Sequence, residues 1–412
     1  MRRRTSHIVL AAGGTGGHMF PAAVLCAELV RRGHRVSLIT DGRGMRYQSQ
    51  FKNCKTYVVD SATFAAGGVF GKIRAGFKVI SGIWAARRLL KQLQPGAVIG
   101  FGGYPSLPSL WAAVQLGIPA ALHEQNAVLG RVNRFLAPRV NAVALTFDRT
   151  EKINPARYEY MCVTGTPVRP EIAEMGERFF PPLGEDRLLR LLVIGGSQGA
   201  SIFSEVVPAA LSTLPRALQR RLQVTQQCRA EDIESVRESY ARTNIAAELS
   251  TFIPNIPECL EWAHLVIGRA GASTVSEITA AGRPAILVPY PHATDQHQKA
   301  NARDLEEVGG AWIFDNRDFT PGRLAKLLQK LSKNPRDIWF AAEQSRKEGK
   351  PYATKDLADL IERLALACGA QDRITVHDHV MGQSRKKEDE ASVDTRSPPS
   401  LNEKYDEKKD AV

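Results

Sequence analysis

Two successive α/β domains, each built on a parallel sheet, are predicted by three observations. A short apolar strand pattern runs into a glycine loop and a helix near the N-terminus; the same order recurs further along; and short buried-strand patterns alternate with helical ones throughout. The first opening is a strand over 7–12, the loop Gly13-Gly14-Thr15-Gly16-Gly17-His18, and a helix over 21–32 stopped by Gly33. Further strands are expected over 34–40, 97–100, 119–123 and 142–145. The second opening is a strand over 188–194, the loop Gly195-Gly196-Ser197-Gln198-Gly199-Ala200, and a helix over 202–214, with strands to follow over 222–225, 247–252, 265–267 and 285–288.

The boundary is set near Thr164-Gly165-Thr166-Pro167-Val168-Arg169-Pro170, where prolines and glycine break the pattern, giving an N-terminal domain over 1–168 and a C-terminal domain over 169–349. A helical stretch is read over 345–368 with an interruption at 349–351, and its last part, 350–368, is expected to cross back to the first domain. Residues 369–412 are charged and polar around Ser397-Pro398-Pro399-Ser400 and are expected to be disordered; His377-Asp378-His379 within them is read as solvated rather than as a metal site.

A chain of 412 residues with 43% apolar content can bury two or three cores. Its six cysteines are far apart and form no CxxC pair, which argues against zinc ribbons and redox dithiols and for a reducing compartment. The apolar run after MRRR is too short for a signal peptide, and the long uncharged stretch 92–122 is broken by Pro95, Pro105, Pro108 and Pro119, so no membrane span is expected. The formal charge of +12 implies anionic partners, but no nucleic-acid-binding motif is present; phosphorylated metabolites or anionic lipid account for the charge.

The stretch 268–302 carries the densest signal. Gly268, Ala270, Gly271 and Ala272 form a small-residue turn opening a helix at about Ser273, which Gly282-Arg283-Pro284 stops. Its N-terminal N–H groups suit a pyrophosphate, Arg269 adds positive charge, and Glu277, placed in the first turn, suits a ribose diol. Against this stands a cap with a dipole-favoured acid and no ligand. The first glycine loop allows a similarly close approach. It lacks G-x-G-x-x-G spacing, although Asp41 stands where the ribose acid of a dinucleotide site would. His18 at that loop's exit is either a general base or a brace for the loop. His123-Glu124-Gln125-Asn126 end a strand at the ligand-binding edge, and Gly102-Gly103-Tyr104-Pro105-Ser106 form another loop there. Phe70, Ile73, Phe77, Ile80 and Trp84 recur at helical spacing among Lys72, Arg74 and Lys78, as a membrane-docking face or, more commonly, a buried stripe with a basic flank.

With these residues assembled, the chain resembles the bacterial peptidoglycan N-acetylglucosaminyltransferases, which add N-acetylglucosamine to the undecaprenyl-linked muramyl-pentapeptide. GGTGGHMFPA (13–22), GGYPS (102–106), HEQNAVLGRVNRFLA (123–137), TGTPVRP (164–170), GGSQGA (195–200), GRAGASTVSEI (268–278) and DQHQKANA (295–302) occur in that family's order. The resemblance implies the GT-B fold, with two Rossmann-like domains facing a cleft. It brings Thr15, Gly16, Gly17 and Asn126 to UDP-N-acetylglucosamine from the first domain, and Arg169, Ser197, Ile253, Ala272, Ser273, Thr274, Val275, Ser276, Glu277 and Gln298 from the second, beside the Arg269 read from the stretch itself. Glu277 takes the ribose, Ser197 and Arg169 the pyrophosphate region, Ile253 the uracil through its backbone, and Gln298 the sugar hydroxyls. Gly103, Tyr104, His123 and Asn133 lie on the acceptor side. His18 becomes the favoured base and Glu124 the second, in an inverting transfer without cofactor or metal at the cytoplasmic face of the inner membrane. A transferase acting on another lipid, a sugar-nucleotide epimerase and a non-catalytic nucleotide-binding adaptor are the alternatives.

Overall fold

The computed structural model describes residues 5–61, 69–154, 160–178, 180–181, 183, 188–196 and 199–367, with side chains for all of these except 69–76 and 367. Seven strands form the first sheet: β1 (His7–Ala11), β2 (Arg35–Thr40), β3 (Lys55–Val58), β4 (Ala97–Gly100), β5 (Ala120–Glu124), β6 (Ala142–Leu145) and β7 (Met161–Val163), in the order β3-β2-β1-β4-β5-β6-β7. Six form the second: β8 (Leu189–Ile194), β9 (Leu222–Gln227), β10 (Ala246–Ser250), β11 (Leu265–Gly268), β12 (Ala285–Leu287) and β13 (Ala311–Ile313), in the order β10-β9-β8-β11-β12-β13. All neighbours in both sheets are parallel. This is the GT-B arrangement of two Rossmann-like sheets.

Burial on both faces explains why the strands read as apolar runs rather than alternations. Along β1, Ile8 and Leu10 enter a core beneath the helix Gly16–Arg31, while Val9 enters the opposite core with Ala86, Leu90 and Leu110. In β8, Leu191 and Val193 pack with Phe203 and Leu211, and Leu192 and Ile194 with Val275 and Ile278. The strands that pattern reading missed, β3, β7 and β13, are short and half-exposed, so no continuous apolar run marks them.

The chain leaves the first sheet at Val163 and enters the second at Leu189. At the other end, the expected stretch over 345–368 is two helices, Pro335–Glu348 and Ala353–Ala367. The second returns to the first sheet, where Leu357, Ala358, Leu360 and Ile361 fill the core beside Leu25 and Leu29. Arg32, almost buried, is fixed there by Glu28, Asp359 and Glu362, and His34 meets Glu362 at 2.8 Å. The tail from Cys368 on, including His377 and His379, lies outside the described residues.

In each sheet the strand order turns back beside the first strand, between β1 and β4 and between β8 and β11. Ligands bind beyond the carboxyl ends of strands at such switch points. The described loop residues there are 12–15, 101–102, 195–196, 199–200 and 269–271, which overlap the glycine-rich motifs.

Candidate active site

The first-sheet helix begins at Gly16, five residues before the expected start at Pro21, so the glycine loop is its first turn and His18 is a helical residue. Pro21 inside the helix has no N–H to give the carbonyl of Gly17. That carbonyl instead accepts the hydroxyl of Ser273, at 3.5 Å, from the second lobe. Ser273 lies in the first turn of the helix Ala272–Ala280, and neither helix has a side-chain cap. Two helix N-termini, each with unpaired N–H groups and the positive end of a dipole, therefore meet across the cleft.

Gly13 allows a third loop to close in, since a Cβ there would come within 2.6 Å of Pro105. Asp41 is used within the loop: Oδ1 accepts the N–H groups of Gly14 (3.1 Å) and Gly44 (2.9 Å), and Oδ2 accepts Arg43 Nε (2.9 Å). Burial pushes its carboxyl up, but those donors outweigh it and hold it below the usual range. A carboxylate so engaged is a brace for the loop, which removes the basis for a dinucleotide site.

His18 is half-buried, with Nδ1 2.9 Å from Oε1 of Gln125. Gly103, at φ +70°, stands against the other ring nitrogen: a Cβ on it would lie 3.3 Å from Nε2. The absent side chain keeps the space before Nε2 open. Tyr104 is half-buried and packs on the core beneath the helix Gly103–Gln115.

Three residues expected at the ligand edge are turned inward. Glu124 is buried, with Oε1 accepting the backbone N–H and side-chain amide of Asn126 (3.0 and 3.3 Å) and Oε2 accepting Gly130 N–H and Asn133 Nδ2 (both 2.8 Å). Both oxygens are engaged within their own loop, so this carboxylate shapes residues 124–133. Asn133 is buried as its partner rather than presented to an acceptor. His123 is fully buried, with Nε2 2.9 Å from the carbonyl of Gly165, and burial lowers its pKa to about 4.

On the second lobe, Glu277 is the sixth residue of its helix, outside the first turn. A dipole-favoured first-turn acid is therefore excluded as its explanation. Burial raises its carboxyl, opposed by Arg169, whose Nη2 is 3.7 Å away and whose guanidinium covers the Phe20 ring of the first lobe at 5.7 Å. Arg269 differs from expectation. Its Nη1 donates to Asn316 Oδ1 (2.8 Å) and the carbonyls of Val288 (3.1 Å) and Pro289 (3.3 Å), and it lies between the rings of Phe203 and Tyr290. It braces the strand ends beneath the site. Ala272, Val275 and Ile253 bury their side chains, leaving backbone groups for any ligand, while Thr274 and Ser276 are half-buried. Gln298 accepts the N–H of Tyr290 at 2.9 Å. Ser197 lies outside the described residues.

On the helix Val69–Leu93 the described part of the apolar stripe is not core. Phe77 is 70% exposed, Ile80 56% and Trp84 74%, beside exposed Lys78, Arg87, Arg88 and Lys91. The side chains of Phe70 and Ile73 lie outside the described residues. Among the described residues, no helix is long and apolar enough to cross a membrane.

Residues 8–145 match the glycosyltransferase family 28 N-terminal domain, and residues 190–364 match the glycosyltransferase family 28 C-terminal domain. A Sphingopyxis alaskensis protein, UDP-N-acetylglucosamine--N-acetylmuramyl-(pentapeptide) pyrophosphoryl-undecaprenol N-acetylglucosamine transferase, is 52% identical over 362 residues, covering 88% of this chain and 92% of its own. The protein of the same name from Zymomonas mobilis is 49% identical over 360 residues, covering 86% and 92%. Acinetobacter baumannii MurG superposes with a TM-score of 0.71 at 33% identity, over 87% of this chain and 99% of that one. The chain belongs to the MurG family. A UDP-GlcNAc 2-epimerase from Neisseria meningitidis also superposes, at a TM-score of 0.61 over 87% of this chain and all of its own, but at 12% identity it shares the fold alone.

In this MurG-family chain two buried polar residues to which sequence reading gave no role of their own organise the cleft. Asn301, buried on the helix His297–Glu307, accepts Ala127 N–H (2.7 Å) and donates to Asn126 Oδ1 (3.2 Å) and to the carbonyl of Ala270 (3.1 Å). Gln125, also buried, joins His18 to His123. The only signal for either was a polar residue inside a motif, and which partner it meets is a tertiary fact.

His123 is neutral in the fold, whereas an ordinary imidazole takes up its proton near pH 6.5. His264, buried beside Arg190 and Arg283, is likewise lowered to about 4. The unfolded chain binds these protons first, so stability held above about pH 6.5 is lost as pH falls toward 4, by up to about 3 kcal/mol for His123. Thermal unfolding from pH 7.5 to 4.5 is expected to show a falling Tm below 6.5; a Tm constant over that range would mean that both imidazoles are accommodated as cations.

Proposed function

We infer that this chain moves N-acetylglucosamine from UDP-N-acetylglucosamine to the muramyl hydroxyl of undecaprenyl-pyrophosphoryl-muramyl-pentapeptide, converting lipid I to lipid II in peptidoglycan synthesis. The observation that carries the reading, beside family membership, is the meeting of two uncapped helix N-termini at Gly17 and Ser273. Two positive dipole ends facing one another are unfavourable alone and favourable with an anion between them, which suits the pyrophosphate of the donor.

From that anchor the remaining roles follow. Glu277 takes the ribose hydroxyls, which would donate to a carboxyl whose pKa burial raises against the opposing charge of Arg169. Arg169 lies between Glu277 and Phe20, where it neutralises the diphosphate region together with the backbone of 272–276; Ser197 belongs to the same region by motif. Ile253 offers its backbone to uracil. Gln298, with Oε1 engaged by Tyr290, offers Nε2 to the sugar hydroxyls. Thr15, Gly16, Gly17 and Asn126 close the donor site from the first lobe, and Gly103 and Tyr104 line the path of the acceptor. The hydroxyl oxygen attacks the anomeric carbon from the face opposite UDP, its proton passes to Nε2 of His18, and the anomeric carbon–oxygen bond to UDP breaks. The departing diphosphate is stabilised by helix N-termini and Arg169.

The acceptor's lipid cannot leave the bilayer, so the first lobe must reach it. Phe77, Ile80 and Trp84 with their basic neighbours dock on the anionic cytoplasmic face of the inner membrane, holding the protein there peripherally. The first domain runs to about residue 168, with 350–368 returning to it, and the second spans 169–349.

Transfer to purified lipid I with release of UDP tests the reaction: an adaptor releases no UDP, and an epimerase acts on the nucleotide sugar without lipid. His18→Ala is expected to lower turnover by about 10²–10⁴ with far less effect on UDP affinity, and near-normal turnover would reassign the proton acceptor. Glu277→Ala is expected to weaken UDP binding by about 1–3 kcal/mol in calorimetry; unchanged affinity in the folded variant would remove Glu277 from the donor site. Replacing Phe77 and Trp84 by Ser should reduce sedimentation with anionic liposomes while leaving Tm unchanged, because both side chains are already in water; undiminished binding would move docking elsewhere.

A further inference from the structure

Proton transfer needs a bare lone pair on Nε2 of His18, and which ring nitrogen carries the hydrogen is decided two residues away. The carbonyl of Gly165, 2.9 Å from Nε2 of His123, can only accept, so that nitrogen carries the hydrogen and Nδ1 of the neutral, buried ring is an acceptor. Gln125 must then present its NH₂ group, at 2.9 Å from His123 Nδ1 and 3.1 Å from the His123 carbonyl. Turning this amide over would set its oxygen against two acceptors in a buried site. With the amide so oriented, Oε1 faces Nδ1 of His18 at 2.9 Å and can only accept. Nδ1 of His18 must donate, and Nε2, at the side left open by Gly103, keeps its lone pair.

We propose that Gln125 and His123 are positioning residues that hold His18 in its Nδ1–H tautomer, so that Nε2 stays unprotonated and aimed at the incoming hydroxyl. The opposite tautomer places two lone pairs face to face, between Nδ1 and Oε1. Burial lowers the pKa of His123 to about 4, so the relay keeps a single pattern of donors at neutral pH. This deepens the reading of His18 as the base and rests on it. It also assigns a task to a His and a Gln that touch no substrate.

The chain has nine histidines, few enough for a long-range ¹H–¹⁵N spectrum of histidine-labelled full-length protein, with His18 identified by the signal lost in His18→Ala. The wild-type protein is expected to carry the His18 hydrogen on Nδ1. In Gln125→Leu the signal should shift toward the Nε2–H form that free imidazole prefers, and kcat should fall about 10–100-fold, less than on losing the base, with KM for UDP-N-acetylglucosamine nearly unchanged. A wild-type His18 protonated on Nε2 overturns the proposal without need of any variant. So does a folded Gln125→Leu protein whose tautomer and kcat are unchanged. If His18→Ala retains turnover while the tautomer pattern is as stated, the assignment of the base fails and the tautomer control stands.

Discussion

The cleft depends on one buried amide. Asn301 comes from a helix of the second lobe, and it accepts a backbone N–H of the first lobe while donating to Asn126 and to the carbonyl of Ala270 just after β11. The bonds to Ala127 and Ala270 are buried, so losing either would leave a buried polar group unpaired at about 1–3 kcal/mol, while the bond to half-buried Asn126 adds less. The amide therefore sets the distance at which the loops after β5 and β11 face each other. Asn126, in turn, donates to Glu124, whose two oxygens hold the loop up to Asn133. The chain of bonds runs from the second lobe into the loop carrying Gln125, and from there to His18.

This arrangement separates two tasks that a motif reading merges. Glu124, Asp41 and Arg269 are polar, lie at the ligand-binding edge, and are held by protein partners, and Asn133 spends its Nδ2 on Glu124. Their chemistry is used to shape loops, because loops rich in glycine have little side-chain packing to hold them and need directional bonds instead. His18, Glu277 and Arg169 keep a less saturated surrounding. The division follows the lone-pair and donor count of each group, not its residue type.

The apolar stripe on the helix Val69–Leu93 illustrates the limit of periodicity. Spacing of three and four shows that side chains share a face, and the same spacing serves a core or a membrane surface. Ala86 and Leu90 of this helix are buried while Phe77, Ile80 and Trp84 are largely in water, so one helix presents both a core face and an exposed apolar one. Exposed aromatic groups beside lysine and arginine are costly unless something apolar and anionic covers them.

The amino-acid sequence by itself determined the two-fold α/β plan and the glycine loops at the strand ends. These are local: an apolar run, a turn and a helix start are written in neighbouring residues. It missed β3, β7 and β13, whose pairing rests on a neighbour strand and not on an apolar run of their own, and it began the first helix at Pro21 when the glycine residues before it already turn. Only the tertiary structure decided that Glu124 is saturated, that His123 is buried, that Phe77 is exposed, and that Asn301 and Gln125 join what the chain keeps apart. The physical reason is that hydrogen-bond saturation and burial belong to pairs of segments; Asn301 meets Ala127 only after both sheets have folded and closed on one another.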